Sequence, residues 1–150
     1  MVDNIRMASH EVTVPLRWSD MDALQHINNV AMMRLLEEAR IRFLTEQVTR
    51  PGDTRVTMFV AHHEIDYLAP LLYSPEPVRI VLSVTRIGRS GFDLGYEVFG
   101  SDGAAAAIAE TSMVVVDEAG RPASIPAELR TQLVELVGEP IPFRRRRANA

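Results

Sequence analysis

The chain of 150 residues contains no cysteine. Without a thiol the protein can form neither disulfides nor zinc–thiolate sites, and it has no cysteine nucleophile. Lysine is absent as well, because all 16 basic residues are arginine. Any anion-binding site must therefore be built from guanidinium groups, which suit bidentate contacts to phosphate.

Long apolar runs are also missing from the sequence. No run approaches the ~18 residues that a membrane-spanning helix needs, and the N-terminus has no basic segment followed by an apolar one. We therefore expect no membrane partner and a cytoplasmic location. The net charge of −4 argues against a nucleic-acid partner.

The chain has the composition of an ordinary globular protein, with 47% apolar and 24% charged residues. Its length predicts one domain over residues 1–150, large enough for a sizeable core. We expect that core to span about residues 10–137. Residues 138–150, which include Arg144–Arg147, are expected to form a solvated arginine-rich tail.

The sequence is organised around the stretch from Leu16 to Leu44. Its first half is a polar loop with two aspartates, a histidine and two asparagines, and an amphipathic helix over about Asn29–Gln47 follows at once. Unpaired N–H groups and the helix dipole favour negative charge at such a helix start. Asn28 is a plausible N-cap. The apolar arc of the helix is wide, which indicates a helix largely surrounded by protein.

Most of the remaining chain has the alternation of strands. The predicted strands are His10–Trp18, Val56–Leu68, Val78–Ile87, Phe92–Phe99 and Ala104–Asp117, and a last helix fits Pro126–Val137. Short turns between strands predict a meander of consecutive antiparallel strands. One wide-faced helix and five strands predict an α+β layer arrangement, with the sheet curled around the helix.

Several motifs occur together and in order along the chain. They are Arg17–Asp22, His26–Asn29, Glu38–Arg40, Ile65–Pro70, Ile87–Ser90, and Val116-Asp117 with Gly120-Arg121. In this set, which covers roughly residues 10–135, the chain resembles the hotdog-fold acyl-CoA thioesterases, in particular the branch related to 4-hydroxybenzoyl-CoA thioesterase. The resemblance implies a long central helix wrapped by a five-stranded antiparallel sheet.

The resemblance also implies an activity and an assembly. Members hydrolyse acyl-CoA to the free acid and coenzyme A, so coenzyme A is part of the substrate and no separate cofactor or metal is expected. They pair their sheets edge to edge as homodimers, many form homotetramers, and their active sites lie between subunits.

Carried over by position, the resemblance assigns residues to the site. The catalytic carboxylate falls on Asp22, as nucleophile or general base, and the N–H that polarises the thioester carbonyl falls on or near Asn29. The coenzyme phosphates are expected at Arg86, Arg89 and Ser90. The expected substrate-side residues are Gln25, His26, Asn28 and His63. Relatives usually carry glycine where this chain has Gln25.

The residues alone leave other interpretations open for the loop. Asp22 could make only a local turn hydrogen bond, and Asp20 is expected to support the loop through Arg17 or a backbone amide. His26 could be a general acid, a carbonyl partner or a half-buried structural histidine. A metal site at Asp20, Asp22 and His26 is disfavoured, because no second cluster supplies further ligands.

The histidine pair in the second strand is also open to two interpretations. His62 and His63 point to opposite faces of a strand, which excludes a shared metal ligand set. His63 is therefore expected to be structural or to line the site across a dimer.

The arginine turn is equally open. Arg86, Arg89 and Ser90 could form only a solvated turn, but their clustering without a nearby acidic partner favours phosphate binding.

The sequence also allows two alternatives to hydrolysis. A hotdog hydratase or dehydratase is disfavoured, because Asp22 and His26 lie four residues apart and the Asn-Pro expected between the catalytic pair is missing. A non-catalytic protein that binds acyl-CoA or an acyl carrier stays open, because binding and catalytic groups overlap.

Overall fold

A computed structural model describes residues 8–48 and 56–145. The strands are β1 (His10–Val14), β2 (Met58–Tyr67), β3 (Val78–Ile87), β4 (Gly91–Phe99) and β5 (Ala105–Val115). The helices are α1 (Asn29–Gln47) and α2 (Ala127–Glu135), and a short 3-10 turn covers Trp18–Asp20. The predicted α+β class, with one long helix and a five-stranded antiparallel sheet, is confirmed.

The strand order is β1-β3-β4-β5-β2, and all four neighbouring pairs are antiparallel. Among the described strands β3, β4 and β5 form a meander, but β2 pairs with β5 and not with β3, so the predicted meander of the four strands after the helix is wrong for β2. The physical reason is that residues 68–77 between β2 and β3 form a ten-residue connection and not a tight turn, while the 19-residue helix α1 separates β1 from β2. The two strands therefore lie at opposite edges, and β2 pairs with β5.

The first strand is shorter than predicted. It ends at Val14, directly before Pro15, whose missing N–H cannot extend a ladder. Trp18 was expected on the apolar face of the strand, but it lies in the 3-10 turn and is 75% exposed. The alternation therefore stops where the chain turns towards the polar loop.

The core lies between α1 and the inner face of the sheet. Eight residues of α1 are buried: Ala31, Met32, Leu35, Leu36, Ala39, Arg40, Phe43 and Leu44. Along β4, Phe92, Leu94, Tyr96 and Val98 alternate towards the helix and are fully buried. Burial over so wide an arc fits a helix held by a curved sheet, as the sequence predicted.

The chain after α2 packs on the opposite side of the sheet, which we call the outer face. Ile141 and Phe143 are buried there in a small cluster with Ile108 of β5. The packed region therefore extends past residue 137, where the sequence predicted that the core would end. The structure describes Arg144 and Arg145, whereas Arg146 and Arg147 lie outside the described residues.

Candidate functional site

The polar loop before α1 is held by the buried carboxylate of Asp20. Its Oδ2 atom accepts hydrogen bonds from the backbone N–H of Arg17 and from Nη2 of Arg34, both at 2.7 Å. Burial alone would raise the pKa of Asp20, but the Arg17 N–H and the guanidinium groups of Arg34 and Arg17 together lower it. The predicted structural role of Asp20 in the loop is confirmed.

Asp22 forms a tight turn with the residues that follow it. Its Oδ1 atom accepts the N–H of Leu24 at 2.9 Å and the N–H of His26 at 3.3 Å. The Asp22 N–H in turn donates to the His26 carbonyl at 2.9 Å. In the described part of the chain no hydrogen bond engages Oδ2 of Asp22. The exposed carboxylate is therefore fixed through one oxygen while the other stays available.

Gln25 stands at the tip of this turn with a φ angle of +63°. This is the left-handed region, which glycine enters freely and other residues enter at a cost of ~1–2 kcal/mol. The backbone thus adopts a conformation that suits the glycine usual at this position. The Gln25 side chain is exposed and does not line the pocket described below.

Asn28 caps α1 as predicted, because its Oδ1 accepts the Ala31 N–H at 2.8 Å. The Asn28 N–H donates to the Asp20 carbonyl at 3.1 Å, which ties the cap to the Asp20 clamp. The backbone N–H groups in the first turn of a helix have no acceptor within the helix. In α1 these include the N–H groups of Asn29 and Val30. The helix start therefore offers outward N–H donors beside the exposed Asn29 side chain.

A surface pocket of about 620 Å³ lies between this helix start and the end of β2. Its lining residues are Asp22, His26, Ile27, Asn28, Asn29, Met32, Tyr67, Leu68, Ala69, Pro70 and Leu71. Four of the residues predicted from the sequence, Asp22, His26, Asn28 and Asn29, therefore come together in one pocket. Among the described residues that line the pocket, Asp22 contributes the only carboxylate.

The second wall of the pocket was not predicted as part of the site. The chain after β2 joins the loop through the Ile27 N–H, which donates to the Leu71 carbonyl at 2.8 Å, and through a bridge between His26 and Leu72. Tyr67 at the end of β2 thereby reaches the pocket while 48% exposed, and partial burial raises its pKa. The signal available in the sequence was the motif ending at Pro70, which stops the strand beside the loop.

His63 lies elsewhere within this chain. It is not among the residues of the pocket, and its Nδ1 lies 2.9 Å from Oγ1 of the buried Thr111. Burial lowers the pKa of His63, and the positive charges of Arg40 and His62 lower it further. Within one chain this histidine belongs to the packing between β2 and β5.

The turn between β3 and β4 carries the predicted arginines. Arg86 Nε lies 2.6 Å from Oδ2 of the buried Asp93, so the expectation that no acidic partner lies nearby is wrong. The two face each other across the β3–β4 ladder, a pairing that sequence spacing did not reveal. The hydrogen bond to Asp93 and its negative charge raise the pKa of Arg86.

Arg89 and Ser90 have a fixed backbone beside that ion pair. The Arg89 carbonyl accepts the Ile125 N–H at 2.9 Å, and the Ser90 carbonyl accepts the Val115 N–H at 2.7 Å. The Arg89 side chain is exposed, and within the described ranges it makes no hydrogen bond or ion pair. Arg89 is therefore a better candidate for an incoming anion than Arg86.

This turn is far from the pocket in the same chain. Gly91 pairs with Val114 in β5, and Val114 pairs with Phe59 in β2, whereas the pocket contacts Tyr67. Phe59 and Tyr67 lie eight residues apart in β2. At about 3.3 Å per residue, the arginine turn and the pocket are therefore separated by about 26 Å along the strand. One chain therefore places the pocket and the arginine turn at opposite ends of β2.

In residues 8–48 and 56–145, no group of three or more His, Asp or Glu side chains is arranged to hold a metal ion. Neither helix of that part of the chain is long and apolar enough to cross a membrane.

The long helix against a curved antiparallel sheet defines the class of protein as a hotdog fold. A Thermus thermophilus thioesterase, solved with coenzyme A and zinc, is 30% identical over 87% of this chain and 96% of its own, with a TM-score of 0.73. A structure described as a predicted thioesterase from Bacillus stearothermophilus is 25% identical over 89% and 99%, with a TM-score of 0.78.

A further structural relative shares the fold at lower identity. It is the 1,4-dihydroxy-2-naphthoyl-CoA thioesterase of Synechocystis, 20% identical over 86% of this chain and 96% of its own, with a TM-score of 0.69. The search of curated proteins found no significant match. The family model of the thioesterase-like superfamily matches residues 16–133, and the chain belongs to this superfamily.

Proposed function

We propose that the protein is an acyl-CoA thioester hydrolase. The observation that carries the proposal is the pocket in which the Asp22 carboxylate and the N-terminus of α1 meet. A carboxylate with one available oxygen, opposite a set of outward N–H donors, matches the needs of acyl transfer from a thioester. Membership of the superfamily and the relative solved with coenzyme A support the same substrate class.

Asp22 acts on the thioester carbon in one of two ways. As a nucleophile, Oδ2 attacks the carbonyl, the carbon–sulfur bond breaks, the coenzyme A thiolate leaves, and water then hydrolyses the mixed anhydride. As a general base, Asp22 takes a proton from a water molecule that attacks the same carbon. Both routes yield the free acid and coenzyme A.

The start of α1 stabilises the oxyanion that forms in either route. The Asn29 N–H has no intrahelical acceptor and is available to the thioester oxygen, which gains negative charge in the transition state. Asn28 keeps this N–H in position by capping the helix through Ala31. The dipole of the 19-residue helix favours negative charge at the same end.

The rest of the pocket holds the acyl group. Ile27, Met32 and Leu71 provide buried apolar walls, and Tyr67 and Leu68 stand partly exposed at its edge. His26 is half-buried beside Asp22 and offers a ring nitrogen to the substrate. Because Asp22 is the one carboxylate among the described lining residues and no arginine lies beside it there, we expect an uncharged acyl group.

The complete site is formed between two copies of the chain. β2 is an edge strand, and Phe59, Val60 and Tyr67 expose 55%, 39% and 48% of their surface along it. A free, partly apolar edge is a template for pairing with another strand. Antiparallel pairing of two β2 strands across a two-fold axis reverses one relative to the other. The arginine turn of one copy then approaches the pocket of its partner.

In this dimer the coenzyme lies along the subunit boundary. Arg89 and Ser90 of one copy bind the phosphates, and Arg86 supports this phosphate contact while it remains paired with Asp93. The thioester enters the pocket of the other copy. The half of β2 that contains Phe59 then completes the site across the boundary, together with His63 and Gln25. The homodimer is the smallest assembly that provides both halves.

A substrate panel tests the proposal directly. The purified protein is given aromatic, short-chain and long-chain acyl-CoA thioesters, and release of free thiol is followed spectrophotometrically. We expect turnover of at least one class, with uncharged acyl groups favoured over dicarboxylic ones. Saturable binding of acyl-CoA without release of thiol would instead identify a non-catalytic binding protein.

A further inference from the structure

Tyr67 is the last residue of β2, and it lines the pocket on the side opposite the polar loop. Its backbone pairs with Ala107 of β5. The N–H groups of Leu68 and Ala69 both donate to the Ala106 carbonyl, at 2.8 and 3.1 Å, so the chain is fixed on both sides of the tyrosine. Within the part of the chain that the structure describes, no hydrogen bond engages the Tyr67 hydroxyl. This hydroxyl is therefore available to a ligand of the pocket.

The hydroxyl of Tyr67 is a hydrogen-bond donor at neutral pH. Partial burial raises the pKa of Tyr67, so the phenol keeps its proton. The neighbours that line the same side of the pocket are Leu68, Ala69, Pro70 and Leu71, whose side chains carry no polar atom. Among the described lining residues, Tyr67 is thus the only one on this side whose side chain can donate a hydrogen bond.

The difference in burial across the pocket gives the thioester a direction. Ile27, Met32 and Leu71 are buried, whereas Tyr67 stands half exposed at the edge. An apolar acyl group gains most free energy where it leaves water completely, which is against the buried walls. When the thioester carbon lies at Asp22, the sulfur and the coenzyme therefore point to the open side, beside Tyr67.

The proposed dimer brings the coenzyme to the same side of the pocket. The arginine turn lies at the level of Phe59 in β2, and the pocket lies at the level of Tyr67. Where the turn of one copy meets the pocket of the other, Phe59 of the first copy faces the end of β2 in the second. A coenzyme held at Arg89 of one copy then reaches Asp22 of the other copy past Tyr67.

A carboxylate nucleophile needs stabilisation of the sulfur that it displaces. Carboxylates are weaker bases than thiolates, because the ordinary pKa values of the two acids are ~3.9 and ~8.5. A tetrahedral intermediate formed by Asp22 therefore expels the carboxylate again more readily than the thiolate. A hydrogen bond to the sulfur shifts this partition towards cleavage of the carbon–sulfur bond.

We propose that Tyr67 is a catalytic residue whose O–H donates a hydrogen bond to the sulfur as the thiolate leaves. This role rests on the proposed function, with Asp22 as the nucleophile. Oδ2 of Asp22 forms the bond to the carbonyl carbon, the carbon–sulfur bond breaks, and its electron pair leaves with the sulfur. Tyr67 keeps its proton, and the thiolate takes up a proton from water after release. A water molecule then cleaves the mixed anhydride.

The test compares two thioesters of the same acyl group, one of pantetheine and one of a nitro-substituted thiophenol. The nitrothiophenolate is a weaker base and leaves without help. Tyr67→Phe removes the hydroxyl and keeps the ring. The readout is kcat/KM, which includes the steps up to release of the thiol. We expect kcat/KM for the pantetheine thioester to fall by about tenfold to a hundredfold, the effect of one hydrogen bond to a charged group, while the nitrothiophenyl thioester is hardly affected.

Tyr73→Phe is the matched control, because Tyr73 is also partly exposed but does not line the pocket. It should keep the native kcat/KM for both thioesters, and circular dichroism establishes that each variant is folded. An equal loss on both thioesters in Tyr67→Phe, or no loss on either, overturns the role of Tyr67. Turnover by the native chain would still support the proposed function in that case. A native chain that releases no thiol from any thioester overturns both.

Discussion

The carboxylate of Asp20 lies 2.7 Å from Nη2 of Arg34 and is almost completely buried, with 2% of the residue exposed. This ion pair joins the loop to the second turn of α1. The backbone of Asp20 also accepts the N–H of Asn28, the cap of the same helix. The geometry of the candidate site therefore depends on a residue that does not line the pocket.

Asp20→Asn should destabilise the protein through loss of this clamp. Removing the charge weakens the hydrogen bonds from Arg34 and Arg17, and such charged hydrogen bonds contribute ~1.5–3 kcal/mol each. We expect a lower free energy of unfolding at pH 7 in urea denaturation, with a smaller relative effect on kcat than on stability. Glu46→Gln, at an exposed carboxylate of α1, is the matched control and should change the stability little.

The same variant should remove part of the acid sensitivity of the fold. The pKa of Asp20 is lowered in the folded state, so its stabilising contribution is fully present above its unfolded value of ~3.9 and is lost as the pH falls below it. The stability difference between the native chain and Asp20→Asn should therefore narrow below about pH 4. A difference that stays constant from pH 7 to pH 3 would contradict the clamp.

Gln25 should be replaceable by glycine with a gain in stability. Glycine removes the ~1–2 kcal/mol cost of the left-handed conformation. Its greater conformational freedom in the unfolded chain offsets ~0.5–1 kcal/mol of this gain in stability. Gln25→Val should be destabilising, because a β-branched residue tolerates positive φ poorly. Urea denaturation of the pair measures both effects. Equal stability of the two variants would show that the turn does not require positive φ.

Arg89→Ala should weaken binding of the coenzyme portion of the substrate. Loss of a guanidinium contact to phosphate is worth ~1.5–3 kcal/mol, which corresponds to a rise in KM of about tenfold or more. The KM for an acyl-pantetheine thioester, which lacks the nucleotide phosphates, should change far less. Arg121→Ala, at another exposed arginine, is the control. Equal losses on both substrates would remove the phosphate role of Arg89.

Mixed dimers should show whether one site uses both subunits. In a dimer of Asp22→Asn and Arg89→Ala chains, a shared site places both changes in one pocket and leaves the other pocket intact. At substrate concentrations well below KM, random mixing should then restore about a quarter of the native sites, since half of the dimers are mixed and each has one intact site. If Asp22 and Arg89 of the same chain formed each site, every pocket would carry a change and the mixture would gain nothing.

The sequence predicted those features that local chemistry determines. Asn28 was predicted as the cap because amide oxygens accept helix N–H groups, and the wide apolar arc of α1 indicated a wrapped helix. Asp20 was expected in a structural role beside Arg17, which requires only neighbouring residues. Four of the predicted site residues share the pocket because they lie within eight positions of one another along the chain.

Contacts between distant residues were beyond the reach of sequence patterns. Alternation shows that β2 is a strand, but it does not show that β2 pairs with β5 rather than with β3. The ion pair of Arg86 with Asp93 depends on the register of β3 against β4. The packing of Ile141 on the sheet depends on Gly95 leaving space on β4. Each requires the three-dimensional register of the sheet.

The most direct test of the proposed function is the turnover of Asp22→Asn on the best acyl-CoA substrate of the panel. Asparagine keeps the size of the side chain and an oxygen for the Leu24 and His26 N–H groups, but it can neither attack nor take a proton. We predict that kcat falls by at least ~10² while KM changes far less, in a variant that remains folded. A kcat near that of the native chain would contradict the assignment of Asp22 and with it the proposed mechanism.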